Sequence, residues 1–312
     1  MGLAGRALRI AHVSDVHVMS RIGAEWRRML FNKRITGWAN VVLRRGRVHR
    51  REYLRAVLEE AAARSDHVVV TGDVTNMAHE SEYVEARRLL DEVARRVEVT
   101  VVPGNHDIYL PAVGRARRFP HHFAPFVTSE RPGLAVRLPS GDYPLVKLRG
   151  PAAIIGLSSA VPRPPFVSAG VLGREQLAAL ERLLALPEVA SRTPVLLVHH
   201  PPVDARSRLA RLRDGLLDAD GLRRAVDRLP RGLLLFGHVH ARSRVGLQTS
   251  SGTLDVVSAS GAALDHPDPR IRAGFNLYEI AGVGAVARVE SYALDASGTG
   301  FSRVPMPERI VS

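Results

Sequence analysis

The chain has 312 residues, 46% of them hydrophobic, which is ample material for a buried interior; α/β chains of this length often close around one core. No run approaches the roughly 20 uncharged apolar residues of a membrane-spanning helix, and the N-terminal stretch is expected to carry no secretory signal. With no cysteine there can be no disulfide and no thiolate metal site, so any metal must be held by His, Asp, Asn or Glu, and the composition fits a reducing cytoplasm.

The net charge is +13, and all but Lys33 and Lys147 of the 44 basic residues are arginines, a bias that base composition alone can produce. The placement is more informative. Residues 21–51 carry ten Arg and Lys against the single acid Glu25.

In chain order, short apolar or β-branched runs end repeatedly in Gly, Asp, Asn or His: LRIAHVSD (8–15), HVVVTGD (67–73), EVTVVPGNHD (98–107), TPVLLVHH (193–200) and GLLLFGHVH (232–240). Uninterrupted runs of this length predict strands buried on both faces. Between them, residues 51–64, 80–96, 174–186 and 219–229 repeat apolar side chains at i, i+3 and i+4, which predicts amphipathic helices. Strand–helix alternation implies a mainly parallel sheet with ligands gathered past the carboxyl ends of its strands. Residues 244–292 lack helical spacing and predict a second, more antiparallel sheet. The expected organisation is one domain over 1–292 with a basic helical insert at about 20–50, followed by a tail, 293–312, lying loosely on the surface.

The strand ends carry the chemistry: Asp15 and His17 in SDVH, Asp73 in TGD, Asn105, His106 and Asp107 in GNHD, His199 and His200 in VHHPP, and His238 and His240 in GHVH. Any one of these is weak, since a lone strand-end histidine is usually a satisfied core residue. Five together at strand exits are a metal-site pattern. Carboxylate, amide and imidazole donors suit borderline cations such as Mn, Fe, Zn or Co, and one carboxylate can bridge two of them.

In their order D-x-H, G-D, G-N-H-D, H-x-P and G-H-x-H, these motifs resemble the calcineurin-like metallophosphoesterase superfamily over about residues 8–260. The resemblance implies a four-layer α/β/β/α sandwich of two mixed β-sheets flanked by helices, with two divalent or trivalent metal ions (Mn, Fe or Zn) at a dinuclear centre. It implies one metal on Asp15, His17, Asp73 and His240, and the other on Asp73, Asn105, His199 and His238, with Asp73 bridging. A hydroxide between the metals would attack phosphorus, and His106 would contact the phosphate and protonate the leaving oxygen. His200 reads as structural or substrate-facing, Asp107 as a residue that orients its loop, and His12 as core. The protein Ser/Thr phosphatases of the superfamily carry GDxVDRG; here GDVTNMA places Asn76 where their aspartate pairs with the catalytic histidine. That departure favours the bacterial phosphodiesterase branch and a phosphodiester or pyrophosphate substrate over a phosphoprotein.

Substrate choice is expected from two basic segments. The insert holds both tryptophans, with Trp38 on an apolar helical face flanked by Arg34 and other cations. Such a helix can pack on the sandwich, or cover a phosphorylated small-molecule or lipid-linked substrate, or rest on the anionic inner surface of a membrane. A nucleic-acid role is disfavoured, because the spacing matches no stacking platform. A UDP-diacylglucosamine-type pyrophosphohydrolase and a non-catalytic metal-binding scaffold are the rival functions. The second segment, RARRFPHHFAPF (115–126), either offers Arg118, His121 and His122 to phosphate oxygens, with Phe119, Phe123 and Phe126 as pocket walls, or packs as a loop over the sheet edge.

Overall fold

The computed structural model describes residues 7–19, 49–164, 166–203 and 207–311. The first half alternates strand and helix: β1 (Leu8–Val13), α1 (Arg51–Arg64), β2 (His67–Val70), α2 (Glu80–Ala94) and β3 (Glu98–Val101). Two short helices, α3 (Pro111–Arg115) and α4 (Arg118–His122), lead to the hairpin β4 (Val136–Leu138) and β5 (Gly141–Tyr143). The second half runs β6 (Leu145–Arg149), β7 (Ala152–Gly156), α5 (Arg174–Leu184), α6 (Pro187–Ala190), β8 (Thr193–Leu197), α7 (Arg208–Asp214), α8 (Ala219–Val226) and β9 (Arg231–Phe236). Six strands complete the chain: β10 (Ser243–Thr249), β11 (Gly252–Ser258), β12 (Gly274–Gly282), β13 (Ala285–Leu294), β14 (Phe301–Arg303) and β15 (Glu308–Val311).

These strands form two large sheets, ordered β14-β13-β12-β1-β2-β3 and β15-β10-β11-β9-β8-β7-β6. Parallel pairing joins β1, β2 and β3 in the first sheet and β7, β8, β9 and β11 in the second; antiparallel strands extend both. Three apolar clusters divide the interior. One lies between the sheets, where Ile10, Val69 and Tyr278 meet Ile154, Leu197 and Leu235. Another packs Leu54, Val57 and Leu58 of α1 and Leu89 and Leu90 of α2 on the outer face of the first sheet. The third packs Leu180 and Leu183 of α5 and Leu222 and Val226 of α8 on the second. The layers are therefore helix, sheet, sheet, helix, as expected.

Two expectations change. Residues 244–292 do not form a sheet of their own. Strands β10 and β11 widen the second sheet, whereas β12 crosses to pair antiparallel with β1, register Leu8 to Ile280. Nor does the chain beyond 293 lie loosely: β14 pairs with β13 and β15 with β10, so each sheet gains an edge strand. The Phe301 ring packs 5.7 Å from that of Phe275, a side-chain anchor that Gly- and Ser-rich composition conceals.

Candidate metal centre

The motif residues follow the carboxyl ends of five parallel strands: Asp15 and His17 after β1, Asp73 after β2, Asn105 and His106 after β3, His199 after β8, and His238 and His240 after β9. Each chain must turn sharply where its ladder ends. Asp15, His17, Asp73, His238 and His240 all do so with φ between 46° and 68°. Such left-handed backbone costs on the order of 1–3 kcal/mol per non-glycine residue, and it persists where the surroundings over-determine it. Two glycines make the close approach possible. A Cβ at Gly104 would stand 2.1 Å from Asp73 Oδ1, and one at Gly237 would stand 1.9 Å from Ser14 Oγ.

The side chains converge as two nests that share one oxygen. On one side His240 Nε2 lies 3.1 Å from Asp15 Oδ1 and 3.3 Å from His17 Nε2, which is itself 3.8 Å from Asp73 Oδ2. On the other, His199 Nε2 lies 3.4 Å from the same Asp73 Oδ2, 3.1 Å from Asn105 Oδ1 and 3.2 Å from His238 Nδ1. His238 Nδ1 also comes within 3.1 Å of Asn105 Oδ1. Asp15 Oδ1 is buried yet makes no well-formed hydrogen bond despite its short distance to His240. Lone pairs turned toward lone pairs, in a buried cluster with an unsatisfied carboxylate oxygen, suit a cation. Among the described residues, Asp15–His17–His240 and Asp15–Asp73–His199 are two of the groups that could hold a metal ion.

The surrounding hydrogen bonds aim these donors. His199 Nδ1 lies 2.7 Å from the Thr71 carbonyl, so its proton sits there and Nε2 faces the cluster with a lone pair. Asp15 Oδ2 accepts from the His238 amide at 3.0 Å, and Asp73 Oδ1 accepts from the His106 amide at 2.8 Å, which leaves the other oxygen of each carboxylate for the centre. Burial pushes the Asp73 carboxyl up, but the imidazoles of His199, His106 and His17 together hold it well below the usual range. Burial lowers His199, yet Asp73, with Asp15 behind it, pushes that imidazole up to about 9, so a proton and a cation compete for the Nε2 lone pair. The pair shows a site whose carboxylates stabilise positive charge.

A family model described as calcineurin-like phosphoesterase matches residues 8–242. The chain belongs to that family. A relative from Rhodococcus erythropolis, described as a probable cyclic nucleotide phosphodiesterase, is 32% identical over 196 residues, 61% of this chain and 56% of that protein. This chain thus matches little more than half the length of that relative. Among solved structures, a dimetal phosphatase from Danio rerio superposes with a TM-score of 0.54 at 15% identity, covering 92% of this chain and 95% of the other. A purple acid phosphatase from yellow lupin (Lupinus luteus) superposes with a TM-score of 0.61 at 10% identity, covering 98% of this chain and 54% of the other. At these identities the two superpositions establish the fold.

The other expected site residues of this calcineurin-like chain separate by their partners. His106 stands beside the nests, its ring centroid 4.9 Å from that of His17, and its Nδ1 bonds the backbone carbonyl of Asn76 at 2.5 Å. Asn76, standing where the protein phosphatases have an aspartate, thus supplies a main-chain oxygen in place of a carboxylate. Asp107 accepts from the amides of Gly104, Val74 and Thr75 and from the Thr75 hydroxyl, which ties the GNHD loop to the GDVT loop. His200 is fully buried, with Nδ1 2.7 Å from Ser159 Oγ and Nε2 2.6 Å from the Ser168 carbonyl. Both ring nitrogens are committed, so the substrate-facing alternative gives way to the structural one.

The 115–126 segment also turns inward. Phe119, Phe123 and Phe126 belong to the core beneath the first sheet rather than to a pocket wall. Glu80 draws His122 to 2.7 Å and Arg118 to 3.6 Å, and His122 stacks on Tyr83. Those contacts hold Arg118 and His122 against α2. His121 is exposed, its ring 5.3 Å from that of His122. Arg34 and Trp38 lie outside the described residues, as does most of the 21–51 insert.

One residue at the insert's end was missed. The His49 ring packs edge-on 5.4 Å from His17 and 6.4 Å from His240, while Arg50 bonds Ala263 and Asp265. Only its position in VHRR, between a basic insert and a helix, hinted at a place near the strand ends.

Proposed function

We propose that this chain is a metal-dependent hydrolase of phosphodiester bonds in small phosphorylated molecules, working in the cytoplasm through one catalytic unit that includes the edge strands β14 and β15. The observation that carries the reading is the single oxygen Asp73 Oδ2, 3.8 Å from His17 Nε2 and 3.4 Å from His199 Nε2, shared between two donor nests. Asp15, His17, Asp73 and His240 would hold one cation, and Asp73, Asn105, His199 and His238 the other. Two such cations, manganese, iron or zinc by donor chemistry, would supply charge for the phosphoryl oxygens and acidify water when bound.

The chain's own groups do the rest. His106 presents Nε2 beside the nests because Asn76 holds Nδ1, so that nitrogen is placed to meet a phosphoryl or leaving-group oxygen and to pass it a proton. Asp107 and Gly104 lock the loop that carries both Asn105 and His106. The likeness to a probable cyclic nucleotide phosphodiesterase supports a diester, and the absence of the protein-phosphatase aspartate at Asn76 supports a small substrate. The test is a substrate panel on manganese-loaded protein: bis(p-nitrophenyl) phosphate, cyclic AMP, a nucleotide pyrophosphate and p-nitrophenyl phosphate. Faster cleavage of a diester than of the monoester is expected. A metal-loaded protein inert toward all four would favour the scaffold alternative. Preference for the pyrophosphate would favour the pyrophosphohydrolase.

A further inference from the structure

The second sheet carries a cleft that the metal centre does not use. It encloses about 500 Å³, within the range of small-ligand pockets, and lies under α7 and α8. Its floor is aliphatic: Leu216, Leu222 and Val226 from the helical segment, and Leu234 and Leu247 from β9 and β10. Pro201 and Pro202, just beyond His199 and His200, close one wall, so the cleft backs onto the loop that delivers a metal-site donor.

Its mouth has two unusual properties. Leu209, Leu212 and Leu217 are 77%, 52% and 42% exposed, three of the seven large hydrophobic side chains so exposed among the described residues, and Leu212 and Leu217 line the cleft itself. α7 buries none of its residues although it carries two leucines. Arg208, Arg211 and Arg223 also line the cleft, and none makes an ion pair or side-chain hydrogen bond among the described residues. Many of this chain's other arginines are paired, as Arg87, Arg131, Arg149 and Arg244 show. Among the described residues, Asp220 is the one acid in the lining.

An aliphatic cavity rimmed by unpaired guanidinium groups is complementary to a molecule with a hydrocarbon body and an anionic head. Burial of each methylene is favourable, and a guanidinium fork binds a carboxylate bidentately. A nucleotide is a poorer match, because no aromatic side chain among the described residues lines the cleft to stack on a base. A flat membrane surface is also a poorer match, since the feature is concave and its apolar floor lies below the rim. We infer that this cleft binds a single-chain amphiphilic anion, such as a fatty carboxylate, at a site separate from the metal centre.

The probe is dodecanoate below its micellar concentration, titrated calorimetrically into the full chain, with dodecyl maltoside as a neutral control. Saturable 1:1 binding is expected, at least tenfold tighter than the maltoside, and at least tenfold weaker in the Arg211→Ala, Arg223→Ala double variant. Both arginines are exposed, so their loss should leave folding intact. Leu212→Gln, also exposed, should weaken dodecanoate through the apolar wall. Asp73→Asn should bind it as wild type does. Absence of saturable binding, equal binding of the maltoside, or indifference to the arginine variants would overturn the inference. So would loss of binding in Asp73→Asn, which would assign the probe to the metal centre. Tighter binding of AMP, binding only to anionic phosphatidylglycerol vesicles, or self-association through this face abolished by Leu209→Arg would each replace the proposed occupant.

Discussion

The two donor nests that meet at Asp73 are built from similar parts but differ in charge and in support. The Asp15 nest has two carboxylates and two imidazoles, whereas the Asn105 nest has the shared carboxylate, a neutral amide and two imidazoles. The first therefore holds one more negative charge, worth about 4 kcal/mol for a unit charge at ~4 Å in an effective dielectric of 20. Their foundations differ too. Beneath Asp15 runs a buried polar chain in which His12 bridges Tyr278 and Thr71, and Thr71 donates to Ser14. Behind His199 stands His200, pinned by Ser159 and Ser168. Thr71 serves both nests, since its carbonyl also orients His199. A shared anion with unequal flanks predicts two cations held with unequal strength.

The largest effect should come from removing what the nests share. Asp73→Asn is expected to lower kcat by 10³-fold or more and to reduce bound metal at both sites together, by activity assay and elemental analysis. Full activity in that variant would break the two-nest picture. Flank variants sharpen it. Asp15→Asn should release one equivalent of metal and retain the other, and His238→Ala should do the same from the opposite side. In the wild type, the equivalent that resists chelation longest should be the one that Asp15→Asn loses. Equal release of both cations by a graded chelator would contradict the charge argument.

His106→Asn tests the group outside both nests. A fall of about 10²–10⁴-fold in kcat with metal content unchanged is expected of a proton-transfer residue. Parallel loss of metal would move His106 into a nest instead.

The smallest effect concerns the foundation. Burial lowers His12 to about 3 from an ordinary 6.5, opposed only weakly by the charge of Asp15. The unfolded chain takes up this proton below pH 6.5 while the folded chain refuses it, so the stability is complete above 6.5 and drains away as pH falls toward 3. Between pH 7 and 5 the loss is about 2 kcal/mol. His12→Gln keeps polar atoms near Thr71 and Tyr278 but does not titrate, so its urea midpoint should depend less on pH over that interval. An unchanged pH dependence would remove His12 from the account.

How much of this was legible beforehand varies by element. The strands ending in donors could be read because buried parallel strands are continuous apolar runs, and the polar residue that ends each run falls at the sheet's carboxyl edge. The helices α1, α2, α5 and α8 were readable from their apolar faces. The pairing of β12 with β1 was not, because its residues and their partners lie far apart in the chain and period-two patterning names no partner. The 115–126 segment stayed open between two readings because arginines, histidines and phenylalanines suit a phosphate pocket and a packed seam equally well. Glu80 and Tyr83 chose the seam for Arg118, His122 and the phenylalanines. The partner of His106 was hidden for another reason: Asn76 acts through its carbonyl oxygen, an atom every residue possesses.

By itself the sequence determined the donor types, their order along the chain and their place at strand ends, since backbone periodicity and residue chemistry are local properties. Only the tertiary structure decided that one oxygen of Asp73 lies between His17 and His199, that His200 faces inward, and that a basic aliphatic cleft opens behind the second sheet. Those outcomes depend on how two sheets twist and pack against each other, and on which polar atoms burial leaves with a partner.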